Sequence, residues 1–404
     1  MATVQKLKAD KTMLIISAGE WGSIHHRPHH FALRAERSGW NVLYVEPPAS
    51  LLALFKNKEL AKRRWSRIGV RHREDSGIGV RPRDNLHILA PPPTLPFGNR
   101  FRWVNRLNQR IIARSIKRAL STIDQPPDQP IDLYSYLPSA VDLLPLLNFA
   151  NIIYDCVDDH AAFTGTHSKK TLDTMERELM QKADVSFATA TQLMKDRSGW
   201  SGNFHLIPNG AEYEHFAPAV NKLYPLPQDI SDLAPPIIGF VGGISDWINI
   251  ELIAETAALL PDYQFVLIGP IDTDVTILKQ QPNITLLGPK HYDNLPQYLS
   301  HFDVCLIPFR INKLTASVNP IKMYEYLAAG KPIAATPMPE VIRFESVIRI
   351  AATAQETADT ITELLQLANS EASVAAVAER QQLALENSWD ARWQAVLSRL
   401  SHLS

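Results

Sequence analysis

Short apolar runs of strand-like composition alternate with helix-patterned segments along this chain of 404 residues. Such alternation favours βα units on parallel sheets over a β-sandwich or a helical bundle. In the first half the strand candidates are TMLIISA, NVLYVEP, LHILAPP, IDLYSYL, NIIYDCV and VSFATA, and the helix candidates are 28–38, 101–119 and 170–182. In the second half the strand candidates are PIIGFVG, YQFVLIG, ITLLG, VCLIPF, PIAAT and VIRIAA, and the helix candidates are 249–259, 293–300, 319–329 and 355–369.

The length of the chain predicts two domains, since a domain averages roughly 150 residues. Each half reads as its own doubly wound domain. A Pro-rich stretch without a sustained period, 212–235, marks the boundary. We therefore expect domains at 1–215 and 216–371, followed by a helical segment at 372–404. Residues 1–200 carry a net charge of +9 and the remainder −10, as two domains with different partners would.

The composition predicts a soluble globular protein, with 45% apolar and 21% charged residues. Cys156 and Cys305 lie in apolar runs, which favours buried thiols in a reducing compartment over a disulfide. The first apolar run, MLIISA, is too short for a signal peptide and reads as a strand. No run approaches the ~18 apolar residues of a membrane span. We expect a cytoplasmic protein with no nucleic-acid partner.

Ligands of an open α/β sheet bind beyond the carboxyl ends of its strands, so the segments after the strands carry the candidate chemistry. In GFVGGISDWINIELI a strand ends in Gly242 and Gly243 before a helix. Two glycines allow close backbone approach, and a helix N-terminus offers amides to a phosphate. A plain strand-to-helix turn is the alternative. The segment matches neither a dinucleotide fingerprint nor a P-loop.

The segment SVNPIKMYEYLAAGKPIAAT, 317–336, is the most specific in the chain. Asn319 suits a helix cap and Pro320 a first helical position. Lys322 and Glu325 then fall three apart on one helix face. A Lys at the positive end of a short helix would hold a diphosphate, and Glu325 would accept hydrogen bonds from a ribose diol. An exposed Lys–Glu pair without function is the alternative.

Several acidic residues end the strand in NIIYDCVDDH: Asp155, Asp158 and Asp159, with His160 after them. Three carboxylates repel one another unless they bind something or cap a helix, and capping explains only one. A metal site is an alternative, but no second cluster at ligand spacing supports it, so we predict no metal.

The loop SAGEWGSIHHRPHHFALRA is rich in aromatic and donor side chains, which suit carbohydrate hydroxyls and anionic groups. Zinc would need a geometry that adjacent histidine pairs seldom provide, and an ordinary polar loop is the other alternative. The acceptor-side candidates are Trp21, His25, Arg27, His29, Asp155 and His160.

Basic and apolar residues are mixed in LLALFKNKELAKRRWSRIGVRHR, 51–73. This combination suits an anionic lipid surface, where each charge adds about 1 kcal/mol. A solvated basic helix and loop is the alternative. The segment predicts peripheral association with the inner face of a plasma membrane.

Motifs spread over nearly the whole chain resemble those of the GT-B glycosyltransferases related to glycogen synthase and the mannosyltransferases, especially bacterial cell-wall and exopolysaccharide members. The likeness lies in YDCVDDH, IPNGAEYEHF, VGGI, GPKHYDNLPQYLSHFDVCLIPF and NPIKMYEYLAAGKP. It implies two Rossmann-like doubly wound parallel-sheet domains facing a cleft. The second domain would bind a nucleotide-sugar donor, and the C-terminal helices would pack back toward the first.

The resemblance also assigns donor residues. Glu325 matches the second Glu of the family's E-x7-E element, which binds the donor ribose, whereas the first Glu falls at Ser317. The Arg and Lys that commonly follow the VG turn are absent, since Gly243 and Ile248 occupy that neighbourhood. Lys322 is the nearest basic substitute. The predicted donor-binding set is Gly242, Gly243, Ser317, Asn319, Ile321, Lys322 and Glu325.

The implied reaction is transfer of a sugar from a nucleoside diphosphate to a polysaccharide, lipid-linked or other cell-surface acceptor, with retention and without metal or cofactor. Lys322 would stabilise the diphosphate leaving group. Asp158 or Asp159 would serve as general base of an inverting reaction, or contact the acceptor hydroxyl under either stereochemistry. A sugar-nucleotide epimerase of the same fold and a degenerate transferase acting as a binding or scaffold subunit are the alternatives.

Overall fold

The chain divides into two units by its internal contacts. The computed structural model describes residues 11–22, 25–56, 59, 62, 66–72, 85–123, 125–126, 128–160, 168–221, 224–368 and 373–403. Unit 1 comprises the described residues of Met1–Ile207 together with Ala395–Ser404, and unit 2 comprises those of Pro208–Gln394. These limits differ from the 215 and 371 predicted from the sequence.

Unit 1 is built on one sheet of eight described strands. The strands are β1 (Lys11–Ile16), β2 (Trp40–Val45), β3 (Gly69–His72), β4 (Leu86–Ala90), β5 (Ile131–Ser135), β6 (Phe149–Cys156), β7 (Val185–Ala188) and β8 (Phe204–Leu206). Their order is β3-β4-β2-β1-β5-β6-β7-β8, and only the edge pair β3–β4 is antiparallel. Every strand predicted in this half is present. The sequence missed β3 and β8, which are short and not continuously apolar.

Helices connect the parallel strands of unit 1. They are α1 (Arg27–Arg37), α2 (Leu51–Lys56), α3 (Arg102–Thr122), α4 (Lys169–Lys182) and α5 (Thr191–Asp196). The long helix α3 buries an apolar stripe that includes Ile112 and Ile116 in a cluster with Leu14 of β1. This packing holds α3 on one face of the sheet. Two 3-10 helices, Pro138–Asp142 and Leu144–Leu146, follow β5.

Unit 2 carries a parallel sheet of six strands. They are β9 (Ile237–Val241), β10 (Gln264–Ile268), β11 (Ile284–Gly288), β12 (Val304–Ile307), β13 (Ile333–Ala335) and β14 (Arg349–Ile350), in the order β11-β10-β9-β12-β13-β14. Alternate residues of β9 enter different apolar clusters, with Ile237 in one and Ile238 in the other. Both faces of this sheet are therefore covered, as the long apolar runs predict.

The helices of unit 2 fill the positions between these strands and after them. They are α6 (Tyr213–Phe216), α7 (Ile250–Leu259), α8 (Thr276–Lys279), α9 (Leu295–His301), α10 (Ile321–Ala328), α11 (Pro339–Ile342), α12 (Ala354–Ala368), α13 (Ser373–Glu386) and α14 (Trp389–Leu400), whose last residues belong to unit 1. The 3-10 helices are Ala217–Asn221, Gln228–Ile230, Tyr292–Asn294 and Thr315–Ser317.

The strand order reverses once in each sheet, between β1 and β5 in unit 1 and between β9 and β12 in unit 2. Connections leave the sheet in opposite directions at such a point, so a crevice opens beyond the carboxyl ends of the two strands. In unit 1 the crevice lies next to Ser17 and Tyr136, the residues that follow β1 and β5. In unit 2 it lies next to Gly242 and Pro308, which follow β9 and β12.

The start of unit 2 is locked to the junction between α13 and α14. The amide of Trp389 donates to the carbonyl of Ala211 at 3.0 Å. At Gly210 a Cβ atom would lie 2.4 Å from the carbonyl oxygen of Asn387. Backbone rather than a side chain occupies that space, so only glycine fits. The PNG sequence at 208–210 is explained by this close approach.

Replacing Gly210 with Ala should lower the free energy of unfolding of the chain by about 1–3 kcal/mol, because the added methyl group displaces backbone. Urea unfolding followed by circular dichroism would measure the loss. Gly243→Ala is the matched control, since the nearest atom to its Cβ would be 3.8 Å away. Equal stability of Gly210→Ala and the wild type would contradict the packing described.

Candidate donor and acceptor sites

The turn after β9 brings backbone segments together at the switch point of unit 2. The amide of Gly242 donates to the carbonyl of Ile268 at 2.8 Å. Gly269 has φ +149°, and a Cβ there would lie 1.8 Å from the carbonyl oxygen of Gly242. Internal packing therefore requires Gly269. At Gly243 an added Cβ would meet only the Oγ atom of Ser245, at 3.8 Å, so there is space next to the turn.

Helix α10 begins at Ile321, two residues later than the predicted 319. Its N-cap is Pro320, and no side chain caps it. Asn319 was expected to cap but does not, because its side chain is buried and used elsewhere. Its Oδ1 atom accepts from the amide of Asn209 at 3.0 Å, and its Nδ2 atom donates to Glu340 at 3.1 Å. Asn319 thus positions the helix, and its side chain is committed within the protein.

The predicted pair on α10 is formed. The Nζ atom of Lys322 lies 2.7 Å from Oε2 of Glu325. The side chain of Glu325 is 4% exposed and that of Lys322 is 27% exposed. Since the first amides of a helix have no partner within it, the backbone at Ile321 and Lys322 adds donors beside the ammonium group. One carboxylate, one ammonium and helix amides are thereby concentrated at one place.

Tyr326 joins α10 to the end of β9, a link that the sequence analysis missed. Its hydroxyl accepts a hydrogen bond from the amide of Val241 at 2.8 Å and is fully buried. The bond fixes the distance between the helix that carries Glu325 and the Gly242 turn. No local pattern signals this role, since Tyr326 lies 85 residues from its partner.

Two positions where the resemblance expects charged residues are occupied by buried side chains. Ser317 is buried at the end of the 3-10 helix Thr315–Ser317. Ile248 is 1% exposed and packs in the apolar cluster that contains Ile238 and Phe240. The side chain at 248 is therefore part of the core of unit 2.

In unit 1, two arginines neutralise the acidic end of β6. Arg27 Nε lies 2.7 Å from Asp155 Oδ2, with side chains 2% and 0% exposed. The hydroxyl of Tyr134 also donates to Asp155 at 2.8 Å. Asp155 and Arg27 were predicted to face an acceptor. Instead they pair beneath the surface, because a buried carboxylate needs a cation.

The other two carboxylates differ in their surroundings. Asp159 lies 3.4 Å from Arg197, which also binds Glu176 at 2.7 Å. No described residue donates a hydrogen bond to the carboxylate of Asp158. Burial raises the pKa of Asp158, Asp159 raises it further, and His160 opposes the shift. Of the two candidate bases, Asp158 is the one without an ion pair in the described structure.

The aromatic loop after β1 is packed inward. Trp21, His25 and His29 are all buried. His29 Nδ1 accepts from the amide of His26, so its Nε2 carries the proton and donates to the carbonyl of Glu20 at 2.9 Å. The structure therefore buries these three predicted acceptor-side residues in unit 1. The half-buried His160 approaches the carbonyl of Tyr136 at 3.1 Å.

A cavity of about 360 Å³ opens at the switch point of unit 1. Ser17 and Glu46 line it from the ends of β1 and β2, and α3 contributes three polar side chains to its lining: Asn105, Asn108 and Gln109. None of these five residues was predicted from the sequence to belong to a site. A signal was available, because α3 places Asn105, Asn108 and Gln109 at helical spacing on its buried face, where apolar residues are the rule.

Comparison with known proteins assigns part of the chain. Residues 235–367 match the family model of the group 1 glycosyl transferases. They form a group 1 glycosyltransferase domain. TuaH of Bacillus subtilis (strain 168), a glycosyltransferase assigned to teichuronic acid biosynthesis, is 29% identical over 228 residues, which are 53% of this chain and 57% of that protein. The match thus spans little more than half of that relative.

Solved structures match the fold over nearly the full chain. Sucrose-phosphate synthase from Thermosynechococcus elongatus has a TM-score of 0.69 at 16% identity, covering 97% of this chain and 99% of that one. Anabaena Alr3699/HepE, solved with UDP and glucose, has a TM-score of 0.62 at 13% identity, with 97% and 99% covered. The predicted α/β fold of GT-B type with two parallel-sheet domains is confirmed.

The group 1 domain contains the whole predicted donor set, from Gly242 to Glu325. Its turn after β9 and the start of α10 flank the switch point where a ligand of such a sheet binds. Among the described residues no group of three or more His, Cys, Asp or Glu side chains is placed to hold a metal ion.

The segment 51–73 is described only in part. Lys58, Arg63, Arg64, Trp65 and Arg73, which the membrane hypothesis includes, lie outside the described residues. Within the described part Phe55 is 85% exposed. Arg67 instead turns inward, with ion pairs to Glu20 at 3.1 Å and Glu46 at 3.2 Å. No described helix is long and apolar enough to cross a bilayer.

Acidification should destabilise the chain through His29. Burial lowers the pKa of His29 from 6.5 to about 3. The unfolded chain therefore binds a proton that the folded chain excludes, and stability is lost as the pH falls below 6.5. Between pH 7 and pH 5 the free energy of unfolding should fall by about 2 kcal/mol from this residue. Urea unfolding at the two pH values measures it.

His29→Gln removes the titrating group and should show a correspondingly smaller loss between the two pH values. His402→Gln, at an exposed histidine of the same unit, should keep the wild-type loss. An unchanged loss in His29→Gln would refute the assignment.

Proposed function

We propose that the chain is a glycosyltransferase that moves a sugar from a nucleoside diphosphate sugar to a polysaccharide, lipid-linked or other cell-surface acceptor. The observation that carries this is the Lys322–Glu325 pair at the start of α10, beside the Gly242 turn of the group 1 domain. Two similar proteins support it: TuaH is a glycosyltransferase of teichuronic acid biosynthesis, and HepE, which shares the fold, was solved with UDP and glucose.

The donor groups have separate tasks. Glu325 accepts hydrogen bonds from the ribose hydroxyls, since a buried carboxylate makes strong charge-assisted bonds. Lys322 has three N–H donors, so its bond to Glu325 leaves others for the diphosphate. The amides of the first turn of α10 point at the same oxygens. Together they stabilise the charge that develops on the leaving diphosphate, so we propose transfer without a metal ion.

The acceptor binds in the cavity at the switch point of unit 1. Its walls combine apolar with polar side chains, a mixture that suits a sugar ring and its hydroxyls. Asn105 donates to the carbonyl of Ser139, and both amide atoms of Asn108 are bonded to the backbone of Leu95, so these two side chains shape the cavity. Glu46, buried at the edge of the cavity, adds a carboxylate. Because Asn105, Asn108 and Gln109 lie on one helix, α3, their wall of the cavity is preorganised.

Asp158 contacts the acceptor hydroxyl. Its raised pKa brings the carboxyl group closer to the range in which a side chain can both take and return a proton. Asp159 is committed to Arg197 and so positions the strand end. The resemblance supports retention, under which Asp158 orients the hydroxyl; in an inverting reaction it would be the general base.

We place the protein in the cytoplasm. Cys156 and Cys305 are both buried free thiols. Burial raises the pKa of each, so neither is reactive, as expected of structural cysteines in a reducing compartment.

A binding or scaffold subunit is the second candidate function. The buried Ser317 and Ile248 favour it, because they replace charged groups that the resemblance leads one to expect around a donor. Catalysis and simple binding differ in turnover, so release of nucleoside diphosphate from a sugar donor separates the two.

Glu325→Ala should weaken the binding of a nucleoside diphosphate by about tenfold or more, since charge-assisted hydrogen bonds to the ribose are lost. Isothermal titration calorimetry with UDP, GDP, ADP and dTDP measures this. EDTA should leave wild-type binding unchanged. Glu345→Ala, at an exposed Glu of unit 2, is the matched control and should bind as the wild type does. No binding of any of the four nucleotides would sink the donor assignment.

Asp158→Asn should lower turnover by about a hundredfold or more while nucleotide affinity stays unchanged, because it removes the carboxylate that contacts the acceptor hydroxyl and keeps the shape. The measurement is release of nucleoside diphosphate from a panel of sugar nucleotides. In the wild type the rate should fall as the pH drops through the raised pKa of Asp158. A wild-type rate in Asp158→Asn would transfer the role to another residue.

A further inference from the structure

Helix α3 presents one continuous outward face in unit 1. Rotation of about 100° per residue places a set at spacings of three and four in a single stripe about 120° wide. The exposed members of this stripe are Trp103, Arg106, Leu107, Arg110, Arg114, Lys117 and Arg118. The opposite face, with Ile112 and Ile116, packs on the sheet.

All the charged side chains on the outward face are basic. No Asp or Glu occurs from 85 to 123, a stretch that carries seven Lys and Arg residues. Arg102 turns inward to Asp142 and Glu178. On the outward face, Arg106 lies 3.7 Å from Asp142. The remaining basic residues of the face make no ion pair with any carboxylate of the described chain: Arg110, Arg114, Lys117 and Arg118. Their charge therefore remains directed at solvent.

Exposed apolar side chains surround the N-terminal end of this face. Trp103 is 62% exposed and Phe101 44%. Phe55 of α2, at 85%, lies on a segment held to the same region, since the amide of Leu51 donates to the carbonyl of Thr94 at 2.9 Å. Leu52, Leu95 and Phe97 are also exposed, and all three line the cavity described above.

We propose that the outward face of α3, together with the loop 95–101 and α2, binds the surface of an anionic lipid bilayer. The arginines and Lys117 pair with anionic headgroups, and Trp103, Phe101 and Phe55 enter the interface between headgroups and acyl chains. A nucleic acid would satisfy the charges as well. The exposed leucines decide against it, because Leu52, Leu95 and Leu107 have no flat face on which a base could stack.

Some exposed apolar side chains of this surface also line the proposed acceptor cavity, whose role rests on the proposed function. Leu52, Leu95 and Phe97 belong both to the bilayer-facing apolar set and to the cavity wall. An acceptor sugar carried on a lipid would therefore reach the cavity directly from the bilayer. The membrane contact itself does not depend on any transferase activity.

The test is flotation of the full chain with phosphatidylcholine vesicles, with and without phosphatidylglycerol. The wild type should float with the anionic vesicles and remain below with the neutral ones. Arg110→Glu combined with Arg114→Glu should reduce binding to anionic vesicles by about tenfold or more. Trp103→Ala should weaken binding in high salt, where the charges are screened and the apolar contact remains. Lys182→Glu combined with Lys195→Glu makes the same charge change on α4 and α5 and should float as the wild type does.

Circular dichroism and nucleotide affinity show whether each variant is folded, and nucleotide affinity also reports separately on the proposed function. Wild-type flotation by the Arg110 and Arg114 double variant would overturn the proposal. So would equal binding to neutral and anionic vesicles, or loss of binding in the Lys182 and Lys195 control. Binding to polyuridylate without binding to vesicles would assign the face to nucleic acid instead.

Discussion

Parallel pairing brings the carboxyl ends of neighbouring strands to the same edge of a sheet, and the reversal of strand order opens that edge. The candidate groups depend on this constraint in both units. In unit 2 it sets Gly242 and the start of α10 at the gap between β9 and β12. In unit 1 it sets the cavity between β1 and β5, and the acidic end of β6 beside it. Residues distant in sequence thereby share a place without any loop having to span the sheet.

Charge balance inside unit 1 shows how such an edge is stabilised. Asp155 and Asp159 would destabilise β6 if unpaired, and each has its own arginine, Arg27 and Arg197. Removing one partner of a buried ion pair typically costs 3–5 kcal/mol, because the other charge is left uncompensated. These arginines therefore stabilise the fold. Of the three aspartates, Asp158 is the one whose carboxylate no described residue binds. The lack of an ion pair makes Asp158 chemically distinct from Asp155 and Asp159.

Local patterns predicted every strand except the short β3 and β8, most helices and the Lys322–Glu325 pair, since each depends on residues close in sequence. Contacts across long separations escaped prediction. Arg27 and Asp155 are 128 residues apart, and Asn319 and Asn209 are 110 apart. Asn319 therefore looked like a local cap and proved to be a bridge. The loop after β1 shows a different limit: its polar composition suggests exposure, whereas His29 is buried and bonded to the nearby backbone of His26 and Glu20.

The resemblance leads one to expect basic residues near positions 243 and 248. A substitution would have different effects at these two positions. At Gly243 an added Cβ would meet only the Oγ atom of Ser245, at 3.8 Å, so the turn has room for a small side chain. At Ile248 a lysine would have to enter an apolar cluster, with the desolvation of its charge uncompensated. The first position is thus open to substitution. The other is fixed by the core of the domain.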